Sequence, residues 1–183
     1  MLEREGFRLV PAKDFVENRE LIADTSGVYA ILLRRGDAML GPTGYYEMGG
    51  LQPIQMGEFS HLYTGSTFEL QTRLRRHITG DARVSTFRKT LLSMHHVVGA
   101  FEKSGVPLAP GNAEHALDAW LQEHALLAVK ECDACLDIEE LYLRSTPSPL
   151  NITNRRATPF SRRLMRMRSL YEGKPVRPHC LHA

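Results

Sequence analysis

Cysteine is scarce in this chain: three residues among 183, too few for the disulfide framework that holds small secreted domains together. Cys132 and Cys135 form a single C-x-x-C, and Cys180 sits in "PHCLH" near the end. A zinc site could be assembled from Cys132, Cys135, Cys180 and either His179 or His182. One C-x-x-C without a matching second half argues instead for reduced thiols. Also lacking is any run of 18 apolar residues, which excludes an ordinary membrane-spanning helix. The amino terminus "MLEREGFRLV" is charged where a secretory signal would be apolar, so a cytoplasmic protein is expected. There is no internal repeat and no low-complexity segment.

What is present suits one soluble domain with a real core: 43% hydrophobic and 24% charged residues over a length typical of a single domain. The net charge of +2 conceals an asymmetry. Residues 151–183 hold eight Lys or Arg against one acid, Glu172, and are therefore +7, which leaves about −5 on the rest. A second cluster from Arg73 to Lys89 has six cationic side chains opposed only by Asp81. Concentrated positive charge in a near-neutral chain points to a polyanion, because each cation set on a phosphate releases condensed counterions. Arg76, Arg88, Lys89, Arg155, Arg156, Arg162 and Arg163 are the candidate nucleic-acid contacts. A solvated basic tail is the plainer reading of the same residues.

Along the chain, "AKDFVENREL" reads as a short helix and "GVYAILL" (27–33) as a strand. The stretch 34–60, rich in glycine, reads as a loop or irregular hairpin, and "HLYTG" (61–65) as the returning strand. Ser66 followed by Glu69 has the capping-box spacing. In the helix it would start, Leu70, Leu74 and Ile78 form one apolar stripe. Arg73 lies about 60° from Leu70 at the edge of that stripe, and His77 lies between Arg73 and Leu74. Arg75 and Arg76 point toward water. "VSTFRKTLLSMHHVV" reads as a helix capped by Ser85, and "GNAEHALDAWLQEHA" as another capped by Asn112, with Leu117, Trp120, Leu121 and His124 inward. "LLAVKEC" is a third strand and "DIEELYLRS" a short helix ended by the prolines of "TPSPLN". His95, His96 and His124 read as structural. Few strands, unevenly spaced among helices, indicate a small α+β fold.

Taken together, "GVY" (27–29) and "YTG" (63–65) resemble the paired tripeptides of the GIY-YIG nuclease superfamily. The resemblance extends to an arginine eight residues after the second glycine, here Arg73, and to a glutamate twelve residues before an asparagine in a proline-containing segment, here Glu139 and Asn151. "STFRKTL", "LDAWLQEHALLAV" and "PLN" look like a bacterial branch of that superfamily. It implies a mainly antiparallel, three-stranded sheet flanked by helices. The nuclease-like domain would span 1–152, with its core at about 26–152 and an insert at about 34–60, followed by a basic C-terminal arm, 153–183, irregular or helical through "SRRLMRMRSLY". Three departures stand out: the long connection from Tyr29 to Tyr63, Thr64 in place of Ile or Val, and no lysine soon after Gly65.

The resemblance implies a divalent-metal-dependent endonuclease acting on DNA, with RNA as a possible target. Glu139 would hold Mg²⁺ or Mn²⁺, and Arg73 would grip a non-bridging phosphate oxygen, for which a planar, permanently charged guanidinium is suited. Tyr29 would accept the proton of the attacking water, with Tyr63 beside it and His77 sharing the role or binding phosphate. Asn151 would position backbone and substrate; Gly65, also a candidate nucleic-acid contact, would let the chain turn from strand into helix with no Cβ in the way of the phosphate, and Gly27 would relieve crowding at the first strand. That scheme requires the Glu139 carboxylate to face Arg73 on one side of the sheet. The same residues have quieter readings: core tyrosines, a packed histidine, and a helix N-terminal acid with Glu140 as rival. A non-catalytic nucleic-acid-binding module, or a ribonuclease or toxin-type nuclease, remains as the alternative function. Oligomeric state is not legible.

Overall fold

The computed structural model describes residues 2–34, 55–98, 110–145, 148–151 and 158–174. The bulk of the 34–60 insert, together with Arg155, Arg156, His179, Cys180 and His182, lies outside the described residues. A 3-10 turn (Leu2–Glu5) precedes β1 (Arg8–Pro11) and α1 (Ala12–Glu17). Then come β2 (Gly27–Arg34), β3 (Gln55–Met56), β4 (Phe59–Thr67), α2 (Leu70–Ile78), α3 (Thr86–Val98), α4 (Pro110–His124), β5 (Ala125–Glu131), α5 (Cys135–Ser145) and α6 (Pro159–Tyr171).

The strands form one sheet in the order β1-β5-β2-β4-β3, antiparallel throughout. The three strands read from the sequence are its centre. The expected count of three is corrected by β1, four residues ending in a proline, and by the two-residue β3. Both are too short to carry a period-2 signal. No helix among the described residues is long and apolar enough to cross a membrane.

Alternation along β2 sorts its side chains between two layers. Tyr29, Ile31 and Leu33 join the larger core with Phe15 of α1, Leu70, Leu74 and Ile78 of α2, Phe87 and Leu91 of α3, and Leu117 and Leu121 of α4. Val28, Ala30 and Leu32 face the opposite way, onto Leu2, Phe7, and Cys135 and Tyr142 of α5. The β2–β4 register shifts between Ile31 and Leu32, leaving Leu62 as an extra residue in β4, a bulge that bends the strand.

Helix starts differ from the expected ones in two places. Ser66 is still in β4; α2 begins after Glu69, whose amide is met by Thr67 Oγ1 at 3.1 Å. The next free amides of α2 are satisfied from the segment before β2: Leu70 by the Thr25 carbonyl and Thr72 by Asp24 Oδ1, both at 3.0 Å. Position 112 lies inside α4, which starts at Pro110, a residue suited to a helix's first turn because it has no amide hydrogen to leave unpaired. Ser85 does cap α3, its Oγ accepting from Arg88 N at 3.1 Å.

Within the C-terminal arm a helix packs against the domain. Thr158 caps α6 through the Ser161 amide, and the helix buries Phe160, Leu164 and Met167 in the larger core. Its arginines dilute an i, i+4 apolar stripe and make the segment read as charged surface.

Two residues of the expected basic surface are also engaged elsewhere. Arg88 is fully buried. Its guanidinium binds Glu114 and Asp118 of α4, the latter at 2.7 Å, and donates to the carbonyls of His77 and Ile78 at 3.3 and 3.0 Å. It is thus withdrawn from any nucleic acid; α4 supplies two acids one turn apart to receive it. Lys89 pairs with Glu172 at the end of α6 at 2.5 Å. Removing one member of a buried charge network strands the rest, so Arg88→Ala should lower the unfolding free energy by about 3 kcal/mol, read by urea denaturation. The salt dependence of nucleic-acid binding should stay unchanged in that variant; a flatter slope would return Arg88 to the binding surface.

Candidate active site

The β2–β4 register sets Tyr29 opposite Gly65 and Ile31 opposite Tyr63. Both tyrosines therefore project from the same face, toward α2 and α3. At Gly65 a Cβ would lie 2.4 Å from the Tyr29 hydroxyl and 2.5 Å from its ring carbon. The glycine thus cradles the phenol across the strand, instead of opening a strand-to-helix turn as its position suggested. A Cβ at Gly27 would meet the Lys130 carbonyl and the Leu70 side chain, each at 2.5 Å. That is the crowding expected at the strand entrance.

Around the Tyr29 hydroxyl a polar chain closes. His77 Nε2 is 2.7 Å away, and Arg73 Nε donates to the same oxygen at 3.3 Å. His77 Nδ1 is 2.7 Å from Ser85 Oγ. We assign the imidazole proton to Nδ1, which then donates to Ser85 and leaves Nε2 to accept the Tyr29 O–H. His77 is fully buried. Burial foremost, then the guanidinium charges of Arg73 and Arg88, hold its pKa well below the ordinary histidine value. Tyr29 is 1% exposed. Burial and then the Tyr63 phenol raise it far above the usual tyrosine range, against the pull of Arg73. Tyr63 is raised too, mainly by burial. The aromatic frame is completed by Phe87, 5.3 Å from Tyr63 and 5.6 Å from His77 between ring centres. These residues of α2, β2 and β4 are brought together as the sequence required. Arg73, half-buried at the stripe's edge, is the member of the group that reaches toward solvent.

Glu139 arrives by another route. Its helix, α5, covers the opposite face, and its carboxylate accepts a hydrogen bond from the Ser66 hydroxyl. Ser66 faces away from Tyr63 and Gly65 because neighbours on a strand alternate. The expectation that the acid stands on the same side as Arg73 is thus corrected: the two groups come together only around the edge of the sheet, where both charges act on the Tyr63 phenol, and the scheme holds only through that edge. The two layers meet around the edge of β4, beyond the short stretch that β3 covers. There a groove of about 630 Å³ is lined by Tyr63 from one face and by Leu136, Glu139, Glu140, Leu143 and Arg144 of α5, with Asn151. The Glu139 charge is felt at both phenols, adding to the upward push on each.

Asn151 acts on the backbone. Its Oδ1 accepts from Thr64 N at 2.8 Å and its Nδ2 donates to Thr64 O at 2.6 Å, while Leu150 N donates to Leu62 O at 3.0 Å. The segment therefore lies along β4 like an added strand. A buried chain His61–Thr64–Ser148, with contacts of 2.8 and 2.9 Å, fastens it.

For a cation, the donor set is lean. Among the described residues no group of three His, Cys, Asp or Glu could form a cage. Cys132 is half-buried and Cys135 buried, both as free thiols. Glu139, half-buried in the groove, forms no ion pair among the described residues, whereas its rival Glu140 is taken by Arg144. A single accessible carboxylate fits a hard divalent cation that keeps most of its waters. It does not fit tetrahedral zinc, which needs three or four protein ligands.

Arg76 is exposed, and Arg162 and Arg163 are half-buried on α6. The sequence shows Ser66 and Ser85 only as helix caps, not as partners of Glu139 and His77. Hydroxyls at strand and helix ends carry no periodic signal. A family model described as the GIY-YIG catalytic domain matches residues 27–170. The comparisons with curated proteins and with solved structures each found no match.

A histidine held neutral in the native state makes the unfolded chain the stronger proton binder below its ordinary pKa of 6.5. Stability from His77 is therefore complete above about pH 6.5 and falls as pH drops, by about 1.4 kcal/mol per unit until the lowered native pKa is reached. Chemical denaturation of wild type and His77→Gln between pH 7 and pH 5 should show the variant's shallower slope. Equal slopes would mean the imidazole titrates normally.

Proposed function

The chain belongs to the GIY-YIG nuclease superfamily, and on that premise we propose that it is a divalent-metal-dependent endonuclease hydrolysing phosphodiester bonds in DNA. The superfamily cleaves nucleic acids with the help of a divalent metal. Substrate and roles within this chain are inferred from its own residues. One observation carries the reading: a buried hydrogen-bonded chain, Arg73–Tyr29–His77–Ser85, beside a groove lined by Glu139, whose carboxylate makes no ion pair among the described residues.

Glu139 would hold the cation, Mg²⁺ or Mn²⁺, with Ser66 fixing one carboxylate oxygen. When bound, the cation supplies Lewis acidity at a phosphate oxygen and at the departing 3′ oxygen. Arg73 grips a non-bridging oxygen and balances the charge that builds there. A buried phenol with a raised pKa is not a phenolate at neutral pH, so Tyr29 needs an onward acceptor. His77 is that acceptor: Tyr29 takes a proton from the attacking water as its own passes to Nε2, and Ser85 Oγ holds the other side of the ring. The water oxygen bonds to phosphorus, the P–O3′ bond breaks, and the 3′ oxygen takes up a proton from solvent. Tyr63, facing the groove, orients phosphate and water. Asn151, held at both main-chain groups of Thr64, positions β4. Arg76, Arg162 and Arg163, with the basic residues beyond Asn151, supply phosphate contacts that locate the substrate without specifying sequence.

Purified protein incubated with supercoiled plasmid or RNA, with Mg²⁺ or with EDTA, tests this. Plasmid nicking that needs Mg²⁺ is expected. Glu139→Gln should lower the rate at least about 100-fold and Tyr29→Phe by about 100-fold or more, each with DNA binding retained. Undiminished cleavage by Glu139→Gln would reject the cation assignment. Tight binding without cleavage of either polymer would leave a non-catalytic module, and cleavage of RNA alone would move the substrate class.

A further inference from the structure

One cation of the C-terminal helix stands apart from the rest. On α6, Phe160, Leu164 and Arg168 follow one another at i, i+4 and i+8, so Arg168 continues the stripe whose first two members are buried. Met167 beside it belongs to the same core as Tyr63 and Phe87, and Phe87 stacks on Tyr63. Arg168 is half-buried, yet among the described residues its guanidinium makes no hydrogen bond or ion pair. The acid one turn on, Glu172, is held by Lys89 and Lys174, both at 2.5 Å. Its neighbour Arg166 is exposed, whereas Arg168 is only partly so.

A partly buried guanidinium whose nearest described acid, Glu172, is shared with two lysines gains from an anion that visits it. Resting on the nuclease reading, we propose that Arg168 is a second phosphate-binding residue of the site, meeting a backbone phosphate of the substrate on the Tyr63 side while Arg73 meets the scissile one on the Tyr29 side. The layout repeats itself. On α2, Arg73 borders the Leu70–Leu74–Ile78 stripe beside Tyr29; on α6, Arg168 ends the Phe160–Leu164 stripe on the side of Tyr63. Two supporting signs come from electrostatics. Arg168 lowers the phenol pKa of Tyr63, and burial lowers that of Arg168 itself, the Glu172 and Tyr63 partners pulling the other way. Two guanidiniums on one backbone, each planar and always charged, would fix the strand's direction across the groove as well as its height above Glu139.

Binding of a short DNA duplex in Ca²⁺ or EDTA, followed across salt concentrations, reads the contact directly. Arg168→Gln should weaken binding about 10-fold and reduce the slope of log K against log salt by about one phosphate contact. Arg168→Lys should restore the slope but leave Mg²⁺-dependent cleavage several-fold slower, since an ammonium lacks the planar fork. Arg4→Gln, an equal loss of charge at an exposed site in the first turn, serves as the control and should change neither. A wild-type slope in Arg168→Gln, accompanied by a lower melting temperature, would show that Arg168 serves packing and would overturn the proposal. If wild type binds but cuts nothing while Arg168→Gln flattens the slope, the nuclease reading fails and the phosphate contact stands. If wild type binds neither DNA nor RNA, both fall.

Discussion

The Tyr29 phenol occupies volume that any residue larger than glycine at position 65 would fill. From that missing side chain follows the lateral reach of the hydroxyl across β4 to His77 and Arg73. Cross-strand register does the placing, since Tyr29 and Gly65 are direct partners and a shift of one residue would send the phenol to the other face. The bulge at Leu62 lies three residues before Gly65 and leaves this part of the ladder regular. A polar group is thereby set in the most buried part of the domain, where its partners matter more than on any surface.

Those partners are supplied by helices whose own ends are tied down. The first turn of α2 is capped by Asp24 and Thr25, and its last turn by Arg88 through the carbonyls of His77 and Ile78. Between these anchors the helix presents Arg73 and His77 one turn apart, the first reaching outward and the second enclosed. Burial then acts on the two groups in opposite senses. It keeps the imidazole neutral and the phenol protonated, so that the resting network holds a single net positive charge, on Arg73.

Much of this was legible because covalent spacing and helical geometry are local. The eight residues from Gly65 to Arg73 and the stripe Leu70–Leu74–Ile78 fix which arginine of α2 borders the core, and no tertiary knowledge is needed for it. What escaped was set by distant contacts. Arg88 carries the same charge as Arg73, and only the two acids of α4, some 26 and 30 residues away in the chain, decide that it is interior. Ser66 followed by Glu69 has a capping pattern, but β4 runs on through both Ser66 and Thr67, and the serine is given to Glu139 instead. The face from which Glu139 approaches depends on the parity of Ser66 against Tyr63 and on where α5 packs. A spacing to Asn151 carries no information on that. The helix through "SRRLMRMRSLY" was readable, but its buried stripe was not, because its arginines read first as charge.

Asn151 offers a different kind of constraint. Its carboxamide meets both main-chain groups of Thr64, as a neighbouring strand's peptide unit would, so a side chain completes a ladder that the backbone leaves off. An amide is the smallest side-chain group that both donates and accepts in one plane, which a carboxylate or a hydroxyl of similar size does not do in that geometry. The border of the sheet is therefore closed by chemistry that main chain and side chain share. The floor of the groove inherits peptide-like rigidity from a residue whose carboxamide already gives one donor and one acceptor to the main chain.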